Sequence, residues 1–373
     1  MAPVGQRKGR FNMIPLFKVH MPDTVMKPLE EILRSGYIGQ GKVVEQFEVG
    51  LAKLIGNPNV LTLNSCTSAL HLALRLAGVS HGDEVISTPM TCSATTEPIL
   101  AHGANIVWAD IIRDTGEIDP KSIESKITNK TKAIICVHWG GYPCDLDSIN
   151  AIGKKHGIKV IEDAAHAMLS TYKRKYIGNH SDFVCFSFQA IKHMTTVDGG
   201  ALFCKDKEDY ERGKLLRWYG LDRESSACFR CEQNIQEYGY KFHMNDVNAT
   251  IGLEQLNCVK DIVAKHRHNG NYYMQHIYPK YLLQYAKDRE SAYWLFSILV
   301  EDVKSMQEYL KEEGIASSPV HSRNDHYKMT EEFRDDYLLG VDYFAAHQLA
   351  IPVGWWLTNS ARDYIVGKVN DYS

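Results

Sequence analysis

The chain has 373 residues and a formal net charge of −3, from 42 basic and 45 acidic residues that are interspersed along it. That length exceeds one small core and suits a large domain with a smaller companion. With no run of Lys or Arg beyond the short cluster Arg7, Lys8 and Arg10, the charge pattern argues against a nucleic-acid-binding protein.

Nine cysteines are scattered without regular spacing, and Cys136, Cys185 and Cys204 sit within apolar runs, where a free thiol behaves as a small hydrophobe. That usage fits a reducing compartment. Cys228 and Cys231 have the spacing of half a zinc site, but no second CxxC or HxxxH follows, so they read as loop cysteines and no metal is expected. No apolar stretch approaches the roughly 20 residues of a membrane span, and residues 1–13 lack the apolar core of a secretory signal. A soluble, cytoplasmic protein with a flexible extension over 1–13 is expected.

Between about residues 43 and 205, apolar runs of strand length alternate with helical stretches, the pattern of a mainly parallel sheet covered by helices. The predicted strands are Val60–Leu63, Glu84–Ser87, Asn105–Ala109, Ala133–His138, Lys159–Glu162, Asp182–Ser187 and Gly200–Cys204. Helices are predicted over Ser68–Ala77, Thr95–Ala101 and Leu146–Lys155, with Gly78, Gly103 and Gly157 near their C-terminal ends. One long helix from about Met244 to His268 then leads to a C-terminal part of different character. There the run from Ala292, AYWLFSILV, reads as a strand, Val303–Glu313 as a helix and Ile315–Val320 as another strand. The expected division is a large α/β domain over 14–250, then a linking helix and small α+β domain over 251–373.

In open α/β sheets, ligands gather at the carboxyl ends of strands, and three segments with chemical potential fall there. Leu63-Asn-Ser-Cys-Thr-Ser runs from a strand into a helix start whose N–H groups can cradle a phosphate; an ordinary N-cap by Ser65 or Thr67 is the plainer reading. Val160-Ile-Glu-Asp-Ala-Ala-His ends a strand in two acids followed by an imidazole. Asp163 there can hold a pyridine nitrogen protonated, or serve as a structural acid bonded to local backbone. Phe186-Ser-Phe-Gln-Ala-Ile-Lys-His places Lys192 in a largely uncharged stretch, where desolvation lowers an ammonium's pKa and frees the amine as a nucleophile. A surface lysine is the ordinary alternative, but it loses ground when all three signals fall at strand ends of one sheet.

From about Ile14 to Val366 the chain resembles the DegT/DnrJ/EryC1/StrS sugar aminotransferases, fold-type I pyridoxal-phosphate (PLP) enzymes related in fold to aspartate aminotransferase. The likeness extends to Gly36-Tyr-Ile-Gly-Gln-Gly, Gly82-Asp-Glu-Val, His138-Trp-Gly-Gly, Asn245-Asp with Gln255-Leu, and Leu349-Ala-Ile-Pro-Val. It implies that Lys192 carries PLP as a Schiff base and that Asp163 pairs with the pyridine nitrogen. By the same resemblance His166 packs near the ring, and Cys66, Thr67, Ser68 and Ser187 surround the phosphate. Lys241, His243 and Asn245 would reach that phosphate from a partner subunit in a homodimer.

Two departures stand out. Thr91-Cys-Ser-Ala-Thr puts Cys92 where the family carries an aromatic residue, and Lys241 and His243 replace a common N-x-R pattern. His321 and Arg323 are candidate substrate contacts. The reaction implied is amino transfer from L-glutamate to a keto-sugar, of which a nucleotide-linked 4-keto-6-deoxy sugar for cell-surface polysaccharide or glycoconjugate synthesis is the favoured type. Two rivals are a dehydratase of the same family, in which histidine replaces the lysine and for which His193 would be the residue, and a non-catalytic PLP-binding regulatory protein.

Overall fold

The structure, a computed structural model, describes residues 13–225 and 232–372. Cys228, Cys231 and residues 1–12 of the expected extension lie outside the described residues. Helices α1 (Met26–Arg34) and α2 (Lys42–Ile55) precede β1 (Val60–Leu63), α3 (Cys66–Leu76), β2 (Glu84–Ser87), α4 (Ser93–Ala101) and β3 (Asn105–Trp108). Then come α5 (Pro120–Lys126), β4 (Thr131–Val137), α6 (Leu146–His156) and β5 (Lys159–Asp163). A small hairpin, β6 (Thr171–Tyr172) and β7 (Lys175–Tyr176), leads to β8 (Phe183–Ser187), β9 (Gly200–Cys204) and α7 (Lys207–Leu216).

Seven of these strands form one sheet in the order β1-β9-β8-β5-β4-β2-β3. Only β9 runs against the rest, pairing antiparallel with both β1 and β8, while β8, β5, β4, β2 and β3 pair parallel. The strands are apolar almost throughout because both faces are covered. In β8, Val184 and Phe186 join the cluster under α2 and α6, whereas Phe183 and Cys185 join the opposite cluster under α3. The two-residue period of a strand sends alternate side chains to opposite faces, so one run feeds two cores. Gly157 closes α6 in the left-handed conformation, as its place after the apolar stripe predicts.

The expected single helix over 244–268 is two. Asn245 caps α8 (Asp246–Leu256) by accepting the N–H of Asn248, and α9 (Val259–His276) starts after a break at Asn257 and Cys258. They part because they pack on different partners. α8 lies so close to α2 that a Cβ on Gly252 would come within 2.5 Å of the Phe47 ring. Val259 and Val263 of α9 join the large core, while Tyr273 joins the small one. The expected boundary at 250 thus falls inside α8.

Beyond α9 lie β10 (Arg289–Glu290), β11 (Phe296–Leu299), α10 (Val303–Glu312), α11 (Leu339–His347), β12 (Gln348–Ile351) and α12 (Asn359–Asp371). The strand predicted from Ala292 pairs only as β11, antiparallel to β12. Ala292–Leu295 is instead a buried arm whose turn is set by Tyr293 at φ 49°. The strand predicted over Ile315–Val320 is reduced to isolated bridges from Ile315 to Ile14 and from Ser318 to Ala350. Pro319 has no N–H with which to continue a ladder.

Candidate active site

The parallel strands end on one edge, and the loops leaving β1, β2, β5 and β8 converge there on a cavity of about 510 Å³ lined by Thr67, Thr95, Asp163, His166, Ser187 and Lys192, among others. At its α3 side Ser65 is the N-cap, its hydroxyl accepting the N–H of Ser68 at 3.0 Å. Cys66 and Thr67 follow in the first turn and line the cavity, and the unpaired N–H groups of a helix start make a ready anion site. The start of β9 presses against this turn. A Cβ on Gly200 would lie 2.5 Å from the Cys66 nitrogen, so glycine is required there.

Ser187 accepts the N–H of Gln189 at 3.3 Å, which leaves its own hydroxyl proton for a ligand. Ser68 is corrected: its hydroxyl donates to Asn64 at 2.6 Å and accepts from Ser65 at 2.9 Å, and it does not line the cavity. Its role is to close the cap.

Asp163, at the end of β5, is held at both oxygens. Oδ1 accepts the N–H of Ala165 at 3.0 Å, and Oδ2 accepts the Thr95 hydroxyl at 2.7 Å. Since the only proton on Thr95 Oγ1 goes to Asp163, the 2.7 Å contact between Thr91 and Thr95 must have Thr91 as donor. The result is a buried hydroxyl chain aimed at the carboxylate. Behind it His138 accepts the Cys144 N–H on Nδ1 at 3.1 Å, which puts its ring proton on Nε2, 2.8 Å from Glu162.

Lys192 is half-buried, with one side open to the cavity and protein around the rest. Among the described residues its Nζ has no ion pair; it lies 3.5 Å from the centroid of the Trp294 ring. Burial pulls its ammonium down to about 8, against the attraction of Asp163. His166 is buried and stacked on Trp294 at 3.9 Å, and its Nδ1 has no hydrogen-bond partner among the described residues. Burial, with help from Lys192, holds its pKa far below the usual imidazole value. His321 also lines the cavity, its Nε2 buried and without a hydrogen-bond partner among the described residues, and burial lowers it to about 4.

Arg323 is corrected as a substrate contact. Its guanidinium clamps Asp325 with two hydrogen bonds at 2.8 and 2.6 Å and also binds Asp342, so its donors are committed away from the cavity. His193, the residue of the dehydratase alternative, points away from the cavity and bonds the Ala292 carbonyl at 3.0 Å. Lys241, His243 and Asn245 do not line this chain's own cavity: Lys241 is exposed, the His243 ring packs 3.6 Å from Trp218, and Asn245 caps α8. Cys92 sits exposed at the rim as the N-cap residue of α4. The aromatic surface of the cavity comes instead from Trp294 and Phe17, stacked at 5.1 Å.

Trp294, Thr95 and Phe17 were not singled out in the sequence. The spacing of four between Thr91 and Thr95 at a helix start was a usable signal for the hydroxyl chain; nothing local marked Trp294. No group of three or more His, Cys, Asp or Glu side chains placed to hold a metal occurs among the described residues, and no helix there is long and apolar enough to cross a membrane.

The donor set fits PLP: an amine lowered in pKa, a supported carboxylate for a pyridine nitrogen, a helix start with a free hydroxyl for a phosphate, and an unpartnered imidazole, all on one cavity. Fold and site together define a fold-type I PLP enzyme. The chain belongs to the DegT/DnrJ/EryC1/StrS aminotransferase family, whose model matches residues 20–370. It is 34% identical over 367 residues to the spore coat polysaccharide biosynthesis protein SpsC of Bacillus subtilis, covering 93% of each chain. Among solved structures it resembles the sugar aminotransferase CalS13 from Micromonospora echinospora, with a TM-score of 0.93 and 35% identity over 97% of this chain and 100% of that one. Spr1654 from Streptococcus pneumoniae in its PLP form matches with a TM-score of 0.89 and 28% identity, over 96% and 98% of the two chains. The protein is a PLP-dependent sugar aminotransferase.

Proposed function

We propose that the enzyme moves the amino group of L-glutamate to a nucleotide-linked 4-keto-6-deoxy sugar destined for a cell-surface polysaccharide or glycoconjugate, and that it works in the cytoplasm as a homodimer. The carrying observation is the amine of Lys192, free of any ion pair among the described residues and facing the same cavity as Asp163. The spore coat polysaccharide role in the name of SpsC supports the destination.

When bound, the cofactor supplies the electron sink for breaking the donor's Cα–H bond. Lys192 would be its covalent anchor, and its Nζ, once free, would be the base that takes and returns the donor's α-proton. Burial suits it to that task, because an amine near pH 8 is partly unprotonated under working conditions. Asp163, fixed in place by the Ala165 N–H and the Thr95 hydroxyl, would pair with the ring nitrogen and favour its protonated form. The N–H groups of Cys66 and Thr67 and the hydroxyls of Thr67 and Ser187 bind the phosphate. His321 faces the acceptor. Lys241, His243 and Asn245 of the partner subunit complete the phosphate site, since among the described residues lining this chain's own cavity Lys192 is the one lysine or arginine.

The test is a panel of nucleotide-linked and free keto-sugars incubated with enzyme and L-glutamate, with products read by mass spectrometry. Glutamate-dependent amination of a nucleotide-linked 4-keto-6-deoxy sugar is expected. Amination of free keto-sugars alone, or of none of the panel despite turnover of simple keto acids, would overturn the reading.

A further inference from the structure

The amine of Lys192 rests on an aromatic face rather than on a carboxylate. Nζ is 3.5 Å from the Trp294 centroid, while His166 stacks on the same indole at 3.9 Å and 18°. A gap that narrow cannot admit an ammonium, so Nζ does not sit between the two stacked rings. Trp294 is 4% exposed, and a cation over a desolvated indole is held more strongly than one at a wet surface.

The chain fixes this indole from several directions. Tyr293 takes φ 49°, a conformation a bulky residue rarely adopts and one that persists only where surroundings enforce it. They do: His193 binds the Ala292 carbonyl at 3.0 Å, and His266 binds the Tyr293 carbonyl at 2.8 Å. The N–H of Ala292 donates to Ser170 at 3.0 Å, and the indole Nε1–H donates to the Ile191 carbonyl at 2.9 Å. The last bond ties the tryptophan to the residue immediately before Lys192. Two buried histidines and a strained backbone thus serve the placement of one ring.

We propose that Trp294 is a positioning residue which seats the Lys192 amine whenever that amine is not bonded to the cofactor, as it must be halfway through each turnover. The proposal rests on the reading of Lys192 as the cofactor's anchor. The seat keeps the freed amine inside the cavity that Asp163 also lines. It also favours the ammonium over the neutral amine, in part offsetting the cost of burial. The other titratable groups facing Nζ are Asp163, Cys66 and Cys92, with His166 and His321 near them; all are kept in the variants below.

The test uses the full chain converted to its pyridoxamine phosphate form, in which Lys192 is free. Acetylation of Lys192 by a pulse of acetic anhydride is followed against pH by quantitative mass spectrometry, for wild type, Trp294→Phe and Trp294→Leu. Wild type should show a midpoint below the ordinary lysine value, because the amine is buried. Phenylalanine keeps a π face and should stay close to it, whereas leucine, apolar but without one, should lower the midpoint by about one pH unit. If the leucine variant does not fold, Trp294→Met takes its place with the same expectation. A midpoint unmoved by loss of the ring, or moved equally by phenylalanine, overturns the proposal. Borohydride reduction of the PLP form separates the two readings: an adduct on another lysine defeats the anchor assignment, while the acetylation midpoint still reports on the seat.

Discussion

Replacing Arg323 with alanine separates its structural role from a role in substrate binding. The side chain of Asp325 is wholly buried, and the two-pronged clamp from Arg323 is its charge partner, with Asp342 binding the third arm of the guanidinium at the surface. Breaking a buried pair by removing one member costs about 3–5 kcal/mol, because the remaining charge is left uncompensated. Arg323 keeps 12% of its side-chain surface open, so water entering the gap should reduce the loss to about 2–4 kcal/mol. A chain of 373 residues unfolding as one unit changes entropy by about 0.8 kcal/mol per kelvin, which converts that loss to a fall of about 3–5 °C in the midpoint. Thermal unfolding of the variant by circular dichroism reads this directly, and steady-state kinetics supplies KM for the sugar. Adding Asp325→Asn to the variant should restore most of the lost stability, since the uncompensated charge is then gone. An unchanged midpoint together with a tenfold rise in KM would refute the structural assignment and return Arg323 to the substrate site.

Four further outcomes are expected. The ammonium of Lys192 is lowered from 10.5 to about 8, so between those values the unfolded chain binds more protons and stability rises with pH. In cofactor-stripped protein, wild type should gain about 3 kcal/mol or less relative to Lys192→Met across that window; a flat difference in urea unfolding would contradict the burial argument. Thr95→Val removes a hydrogen bond to a charged, buried carboxylate and should lower cofactor-free stability by about 2 kcal/mol, with Thr95→Ser close to wild type; equal stability of the valine variant counts against the hydroxyl chain. Asp163→Asn should retain some PLP yet lose most turnover in both half-reactions, and near wild-type rates in a stopped-flow assay would remove Asp163 from the chemistry. Finally, Lys192→Ala and a variant lacking the Lys241 and His243 side chains, each inactive alone, should regain activity when their subunits exchange. No recovery despite demonstrated exchange would sink the shared site.

Much of this protein was legible in short windows of sequence. A strand buried on both faces must be apolar along its whole length, so Val60–Leu63 and Gly200–Cys204 announce themselves and agree with β1 and β9. The same locality made Ser65 readable as a cap and placed Asp163 and Lys192 at strand ends, because the groups concerned are only a few residues apart. Other features depend on which distant surfaces meet. Thr95 reaches Asp163 across 68 positions, and Trp294 reaches Lys192 only because residues from three other segments bend the chain at Tyr293. Arg323 looks like a substrate ligand until Asp325 and Asp342 are seen to occupy it. The helix expected across Asn257 breaks because α8 and α9 answer to different cores. Periodicity and capping are properties of neighbouring residues and are written locally. The partners of a charge, a ring or a bent backbone come from folding, when segments far apart in the chain are brought within a few ångströms.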